Sequence, residues 1–288
     1  MPASKFALGL KKPLLLAGIG SLAFAALTPQ AALAAPAITF KGSFNRANGA
    51  NPWAALTPAG NGRTFYGTTT EGGVYGSGAI FEFDPSGGGS ITLKGSFNRG
   101  TGAYPHAALT PAGNGTTFYG TTALGGVNDS GAIFEFDPSG SGSITLKGSF
   151  NGANGANPYA ALTPAGNGAT FYGTTVNGGF NNTYGDGVIF EFDPSGSGAI
   201  AIKGTFDPSN GADPYAALIP AGNGRTFYGT VYDGAYARSG AIFEFDPGAD
   251  SVGTPSPLPL LGATAAFGWS RKLRRRIQAV RPMFPIGR

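Results

Sequence analysis

Four short runs of apolar and aromatic residues recur along this chain in the same order and at a nearly fixed distance. The first has the form Pro–ring–Ala–Ala–Leu and opens at Pro52, Pro105, Pro158 and Pro214, so its steps are 53, 53 and 56 residues. The second contains Phe-Tyr-Gly, beginning at Phe65, Phe118, Phe171 and Phe227. The third is Phe-Glu-Phe-Asp-Pro, from Phe81, Phe134, Phe190 and Phe243, and the fourth is Lys-Gly-Ser/Thr-Phe, from Lys41, Lys94, Lys147 and Lys203. Each run is short, rich in β-branched and aromatic residues, and bounded by turn residues, so each predicts a strand. An Ala-Gly-Asn-Gly turn separates the first run (Pro158–Pro164, for example) from the second, where Gly and Asn tolerate positive φ. A Gly-Gly loop joins the second to the third, and a Ser-Gly turn joins the third to the fourth. Four meandering strands every fifty-odd residues predict stacked units of the propeller-blade kind, each burying its faces on its neighbours.

The phase of the repeat carries a further expectation. Ile38–Phe44 reads as a lone fourth strand ahead of three complete units, and the last unit runs through its third strand to Asp246-Pro247. The expected fold is therefore all-β, a four-repeat β-propeller-like ring closed by the N-terminal strand, with Ile38, Phe40 and Phe44 packed into the last unit. Glu82, Glu135 and Glu191 each precede a lysine by 12 residues, and Glu244 has its counterpart by phase in Lys41. Closure predicts that Glu244 and Lys41 pair across adjacent strands. A frayed array, a shallow solenoid and a dimer that shares blades are the alternatives.

The ends differ in composition from the body. Lys5, Lys11 and Lys12 precede the apolar run 14–27 and an Ala32-Leu33-Ala34 site, which reads as a signal peptide over residues 1–34 cut after Ala34. An N-terminal membrane helix is the alternative, against which the run is short and interrupted by glycine. The repeat body is expected over 35–247, a polar linker over 248–257 and a hydrophobic and basic tail over 258–288. A basic helix docked on the body is the other reading of that tail. The overall charge of +4 belongs to the ends: residues 35–250 hold all 15 acids and only 9 Lys/Arg, a net of −6. A mildly acidic body argues against nucleic acid as a partner. The chain has no cysteine, which excludes disulfides and thiolate metal sites.

The tail resembles the PEP-CTERM sorting signal of exported bacterial proteins. Pro255, Pro257 and Pro259 match its proline-rich start, Leu260 to Trp269 its apolar segment, and Arg271, Arg274, Arg275 and Arg276 its basic end. Ser256 stands where that signal usually has Glu, and 12 residues follow Arg276. The body resembles the GloVer-type tandem-repeat proteins with variable anchors, through Tyr66-Gly-Thr-Thr69, Gly72-Gly73 and Gly78-Ala-Ile-Phe81 and their counterparts in the next two units. The fourth unit departs at Val231 and Ala235. These resemblances imply an exported surface protein, served by the export machinery and an exosortase-like processing enzyme, with transient membrane contact through the tail. They imply no established activity.

Candidate chemistry is sparse. The recurrent Glu82, Glu135, Glu191 and Glu244 invite a glycosidase reading, but a catalytic pair breaks symmetry and these repeat identically. His106, the chain's one histidine, occupies the slot of Trp53, Tyr159 and Tyr215 and reads as a flat ring filling it. No second histidine or cysteine accompanies it, so neither a His-based triad nor a metal cluster is expected. The Asn/Asp-rich segments before each opening proline lack the acid count of a calcium loop. No cofactor is expected. The units differ most in the loops joining strands four to one (Arg46, Arg99, Tyr104) and two to three. The second set carries Tyr75, Asn128, Asp129, Asn181, Asn182, Tyr184, Asp186, Tyr232, Asp233, Tyr236 and Arg238. Rings for stacking and short polar side chains for hydrogen bonding make these loops candidates for ligand recognition. The expected function is an exported cell-surface binding or structural module associating with envelope or matrix glycan. The alternative is a secreted polysaccharide-degrading lyase or hydrolase.

Overall fold

The computed structural model describes residues 38–140, 142–179, 185–195, 198–234 and 239–248. The predicted signal peptide with Ala34 and the tail with Pro255, Pro257, Pro259, Trp269, Arg271, Arg274, Arg275 and Arg276 lie outside them. The chain divides into two units, Met1–Phe40 and Lys41–Arg288, and every repeat lies in the second.

The first repeat forms β1 (Thr57–Pro58), β2 (Phe65–Thr69), β3 (Ala79–Asp84) and β4 (Ser90–Ser96), an antiparallel sheet hydrogen-bonded in chain order. The second repeat gives β5 (Thr110–Pro111), β6 (Phe118–Thr122), β7 (Ala132–Asp137) and β8 (Ser143–Ser149) in the same order. The third gives β9 (Thr163–Pro164), β10 (Phe171–Thr175), β11 (Val188–Asp193) and β12 (Ala199–Thr205). The fourth gives β13 (Ile219–Pro220), β14 (Phe227–Val231) and β15 (Ala241–Phe245). The first strand of each unit is shorter than its sequence run. Only its last two residues pair within the sheet, and the Pro–ring–Ala–Ala–Leu segment before them bonds elsewhere.

That segment bonds to the preceding unit. The buried hydroxyls of Thr57, Thr110 and Thr163 donate to the carbonyls of Leu109, Leu162 and Leu218 at 2.9, 2.7 and 2.7 Å. Thr68 and Thr121 donate to Ala107 and Ala160 at 2.9 Å, and Thr174 to Ala216 at 3.3 Å. A carbonyl that leaves the ladder thus finds a partner on the neighbouring sheet, as burial requires. Side chains complete the joint. Tyr66 lies edge-on to Phe118 and Phe136 of the next unit at 5.3 and 5.2 Å, and Tyr119 to Phe171 and Phe192 at 5.3 and 5.4 Å. Tyr172 lies 5.2 Å from both Phe227 and Phe245. The hydrophobic core is therefore three inter-unit clusters, one per joint.

Within each of the three four-stranded sheets a β-bulge falls between Ile80 and Phe81 or at the matching place. Opposite it, Ile80 pairs with Gly95 and Phe81 with Leu93, which leaves Lys94 as the extra residue. The bulge turns the lysine along the sheet, and the expected pairs form: Lys94–Glu82 and Lys147–Glu135 at 3.8 Å, Lys203–Glu191 at 2.7 Å. Glu82 and Glu191 also accept from Thr64 and Thr170 at 2.8 Å, which commits these carboxylates to structure.

The sheets do not close into a ring, so the expected β-propeller closure is overturned. Residues 38–44 form no strand, and Lys41 and Glu244 make no ion pair. Lys41–Phe44 lies on the first unit, where its equivalents lie on the second and third. A Cβ built on Gly89 would sit 2.2 Å from the Lys41 carbonyl oxygen, as one on Gly142 would sit 2.1 Å from that of Lys94. Phe44 meets Phe81 edge-on at 4.8 Å, as Phe97 meets Phe134. Ile38 and Phe40, expected to clasp the last unit, are exposed. The fourth sheet alternates buried and exposed along β14 and β15, whereas β6 and β10 are buried throughout. One of its faces is open. Tyr228, the fourth member of the tyrosine series, is 43% exposed.

The open end has a measurable consequence. Tyr119→Ala empties an inter-unit socket and is expected to destabilise the protein by about 3–5 kcal/mol. Tyr228→Ala in dilute solution is expected to change stability by about 0.5 kcal/mol or less. Chemical denaturation of the two variants beside the parent checks this; equal losses would mean that the fourth face is covered.

Candidate functional site

The slot before each Ala-Ala-Leu holds one ring per unit, and the inter-unit bonds hold that slot in register. The threonine-to-alanine bonds at Ala107, Ala160 and Ala216 grip the residue next to each ring. The proline before the ring is seated on a glycine of the preceding unit. A Cβ on Gly78, which has φ +105°, would sit 2.6 Å from Pro105 Cδ, and one on Gly131 2.5 Å from Pro158 Cδ. Glycine is required there by both its positive φ and this close approach.

Held this way, the four rings form a continuous row. Trp53 to His106 is 5.6 Å between centroids, His106 to Tyr159 is 4.7 Å, and Tyr159 to Tyr215 is 5.4 Å. Tyr232 extends the row, edge-on to Tyr215 at 6.0 Å. Trp53, His106, Tyr159 and Tyr215 together line a cavity of about 310 Å³. Trp53 is 73% and Tyr215 50% exposed, so the row is a surface and not a core. Burial of the His106 imidazole lowers its pKa below the ordinary value, which keeps the ring neutral in neutral solution.

The row has a polar end. Asp213 carries a positive φ of 58° in the position held by Asn51, Tyr104 and Asn157 in the other units. Its carboxyl is pushed up by burial, and then by the nearby charges of Asp233 and Asp186. The Tyr215 hydroxyl is pushed up by burial and by Asp213, Tyr159 and Tyr232. The backbone gathers these residues: Asp213 N–H donates to the Asp186 carbonyl at 3.1 Å, and Tyr232 N–H to the Asp213 carbonyl at 3.0 Å. Among the described residues no group of three or more His, Asp or Glu is arranged to hold a metal ion.

The two variable loop sets do come together. Ala50, Ala103, Ala156 and Ala212 of the first set bridge Glu71, Leu124, Asn177 and Asp233 of the second. Several predicted contact residues are spent on holding these loops. Arg46 pairs with Glu71 at 3.7 Å, and Arg99 pairs with Asp129. Asp129 also accepts from Gly125 N–H at 2.9 Å, and the Asn128 amide donates to the Phe150 carbonyl at 3.2 Å. Tyr104 has φ 56°, and its backbone N–H donates to Ser77 at 2.9 Å. Tyr75 is exposed and makes no ring contact with the row among the described residues, whereas Tyr232, Asp233 and Asp186 lie at its acidic end. Asn181, Asn182, Tyr184, Tyr236 and Arg238 lie outside the described residues. The sequence reading took Trp53, His106, Tyr159 and Tyr215 as rings filling a common slot rather than as ligand contacts, and did not single out Asp213. The available signal was that the slot keeps a flat ring while changing its identity, whereas the core Phe and Tyr positions do not change at all.

The Gloeobacter/Verrucomicrobia repeat matches residues 28–184 and again 112–255, together most of the chain. The chain belongs to that repeat family. The match stops short of residues 256–288, so it supports the tandem repeat and lends nothing to a variable anchor or a PEP-CTERM tail. No curated protein matches the chain. Among solved structures it is similar to a putative 6-phosphogluconolactonase from Bacteroides uniformis at 16% identity and a TM-score of 0.44, covering 67% of this chain and 53% of that one. It is also similar to the periplasmic gluconolactonase of Pseudomonas aeruginosa at 14% identity and a TM-score of 0.42, covering 72% of this chain and 59% of that one. The repeat protein spans little more than half the length of these solved chains. Similarity at that level implies nothing about its activity.

The lowered imidazole pKa fixes a sign. Between its folded value and the ordinary 6.5, the unfolded chain binds more protons at His106 than the folded one. Stability at this site is therefore full above about pH 6.5 and is lost as pH falls through that window. The melting temperature of the parent is expected to drop more between about pH 7 and about pH 5 than that of His106→Tyr. Parallel drops would show the ring to be freely solvated.

Proposed function

We propose that this repeat protein is an exported module that binds a glycan of the envelope or extracellular matrix along the row Trp53–His106–Tyr159–Tyr215. The row is the observation that carries the reading. Sugar rings present flat apolar faces as well as hydroxyls, and a line of exposed aromatic faces offers the complementary surface. Polar groups at one end, here Asp213, Asp233 and Tyr232, supply the few directional bonds that fix orientation in an otherwise apolar site. The acids at this end, Asp213, Asp233 and Asp186, repel phosphate, which favours a saccharide over a nucleic acid or another polyphosphate. Export and surface placement rest on the composition of the chain's two ends, and an exosortase-like partner on the resemblance of the tail.

A second reading, a secreted polysaccharide-degrading hydrolase or lyase, draws on a specific observation. Asp213 stands next to Tyr215 with its carboxyl pushed upward by burial and by two neighbouring acids. A carboxyl whose pKa is raised by burial and by neighbouring acids is the type of group that glycoside cleavage uses as a general acid. In that reading the row positions the saccharide and Asp213 protonates the leaving oxygen.

One experiment tests both. Oligosaccharides from envelope and matrix polymers are titrated against a Trp269→Phe background, in which Trp53 is the remaining tryptophan. A saturable change in Trp53 fluorescence is expected, weakened about tenfold or more by Tyr215→Ala with stability unchanged to within about 0.5 kcal/mol. Reducing-end or unsaturated-end release in the same tubes, lost in Asp213→Asn, would establish the enzyme reading instead. The absence of both a fluorescence change and release across the panel would refute a glycan site on the row.

A further inference from the structure

The joint between units is built three times in this chain, always in the same way. A tyrosine of one unit enters a pair of phenylalanines of the next at all three joints, and at the first two the fourth-strand segment lies over the next unit's hairpin glycine. Each half of that joint also exists once without its mate. On the fourth unit, Tyr228 and Ile242 are 43% and 69% exposed, whereas Tyr66, Tyr119, Tyr172 and Ile80, Ile133, Ile189 are buried. On the first unit, Phe65 and Phe83 form the same tilted pair as Phe118 and Phe136, with centroids 6.5 Å apart, and neither is fully buried. No tyrosine ring contacts this pair among the described residues.

The two unmated halves match in detail. Where the inner joints use a threonine hydroxyl on a leucine carbonyl, the fourth unit has Ile219, 64% exposed, and the first unit offers Leu56, 45% exposed. The polar stitch is replaced by an apolar pair, one residue on each of the two faces left uncovered among the described residues. Gly240 has φ +78°, the conformation of the glycines that seat the next unit's proline, and Pro52 is exposed on the first unit. The charges agree as well. Glu244 stands on β15 where Glu82, Glu135 and Glu191 meet their lysines, and Lys41 occupies the lysine position of a segment stacked like a fourth strand on the first unit.

We propose that a second copy of this chain docks head to tail, the fourth unit of one copy against the first unit of the next. Tyr228 enters the Phe65–Phe83 pair, Ile219 packs on Leu56, and Lys41–Phe44 of the second copy adds to the free edge of β15, bringing Lys41 to Glu244. The interface continues a packing that already exists inside the chain, with the same residue types in the same roles except at Ile219, which stands where the inner joints have a threonine. It also covers an edge strand and an apolar face that would otherwise stand open to water. The contact is heterologous, so it uses two different faces of each copy.

The test uses the full chain, which lacks cysteine. By the register in the first three units, the Cα partner of Ile242 is Gly42 of the other copy. Gly42→Cys and Ile242→Cys, purified separately and then mixed under mild oxidation, are expected to give a mixed disulfide in roughly tenfold excess over either homodimer. In sedimentation velocity the parent is expected to associate with rising concentration, and Ile242→Arg to weaken that association about tenfold or more with an unchanged melt. Association that Ile242→Arg leaves unaltered would place the contact elsewhere, for instance on the tail. That result, a monomer at every soluble concentration, or disulfides that form no better in the mixture than in either variant alone would overturn the proposal.

Discussion

A buried threonine hydroxyl donating to a carbonyl on the neighbouring sheet is the bond on which this architecture rests. Each sheet is too small to bury its own faces, so its stability has to come from the joint. At the joint the Pro–ring–Ala–Ala–Leu segment leaves the ladder, and its carbonyls would be costly to bury without partners. Thr57, Thr110 and Thr163 supply those partners from one level of the sheet, and Thr68, Thr121 and Thr174 from another. Two bonds at different levels fix both the distance and the rotation between sheets. The tyrosine between two phenylalanines then fills the space the bonds define, each edge-on ring pair adding about 0.5–1.5 kcal/mol beyond area burial.

The same bonds build the candidate site. They hold the residue that follows each ring, so Trp53, His106, Tyr159 and Tyr215 arrive at regular spacing because the sheets do. A site made this way needs no loop of fixed structure and tolerates changes of ring identity, as the Trp, His and Tyr in one slot illustrate. It also gives the row a direction, from the open Trp53 end to the acidic end at Asp213. The fourth unit, which differs from the others at Ile219, Val231 and Asp213, is where both the polar end of the row and the uncovered face are found.

Much of this was legible in the sequence, and the parts that were not have physical reasons. Strand order, turn positions and the Glu–Lys pairs follow from local period and turn chemistry, and Lys94 does reach Glu82. The bulge that lets it do so leaves no local mark beyond the Lys-Gly pair. Closure failed because the phase of a repeat states which strand is unmatched but not the rotation from one sheet to the next. That rotation is set by long-range contacts such as Tyr66 on Phe118 and Phe136. The first strand was read too long because a short continuous apolar run looks the same whether its carbonyls pair in a ladder or accept hydroxyls from another unit. Of the predicted ligand contacts, Tyr232, Asp186 and Asp233 reach the row's end, while Arg46, Arg99 and Asp129 are taken up by one another and by Glu71. The rings themselves were taken for filler because exposure cannot be read from a slot flanked by Pro and Ala.

The account stands on the threonine joint, and isosteric removal of single hydroxyls tests it most directly. Thr163→Val deletes the donor to the Leu218 carbonyl without opening a cavity, leaving a buried acceptor without its partner. Thr230→Val makes the same change on the exposed face of the fourth unit. Urea denaturation in dilute solution is expected to show a loss of about 1–3 kcal/mol for the first. The second is expected to stay within about 0.5 kcal/mol of the parent. A negligible loss at Thr163, or equal losses at both positions, would contradict the claim that these hydroxyls hold an open stack of four sheets together.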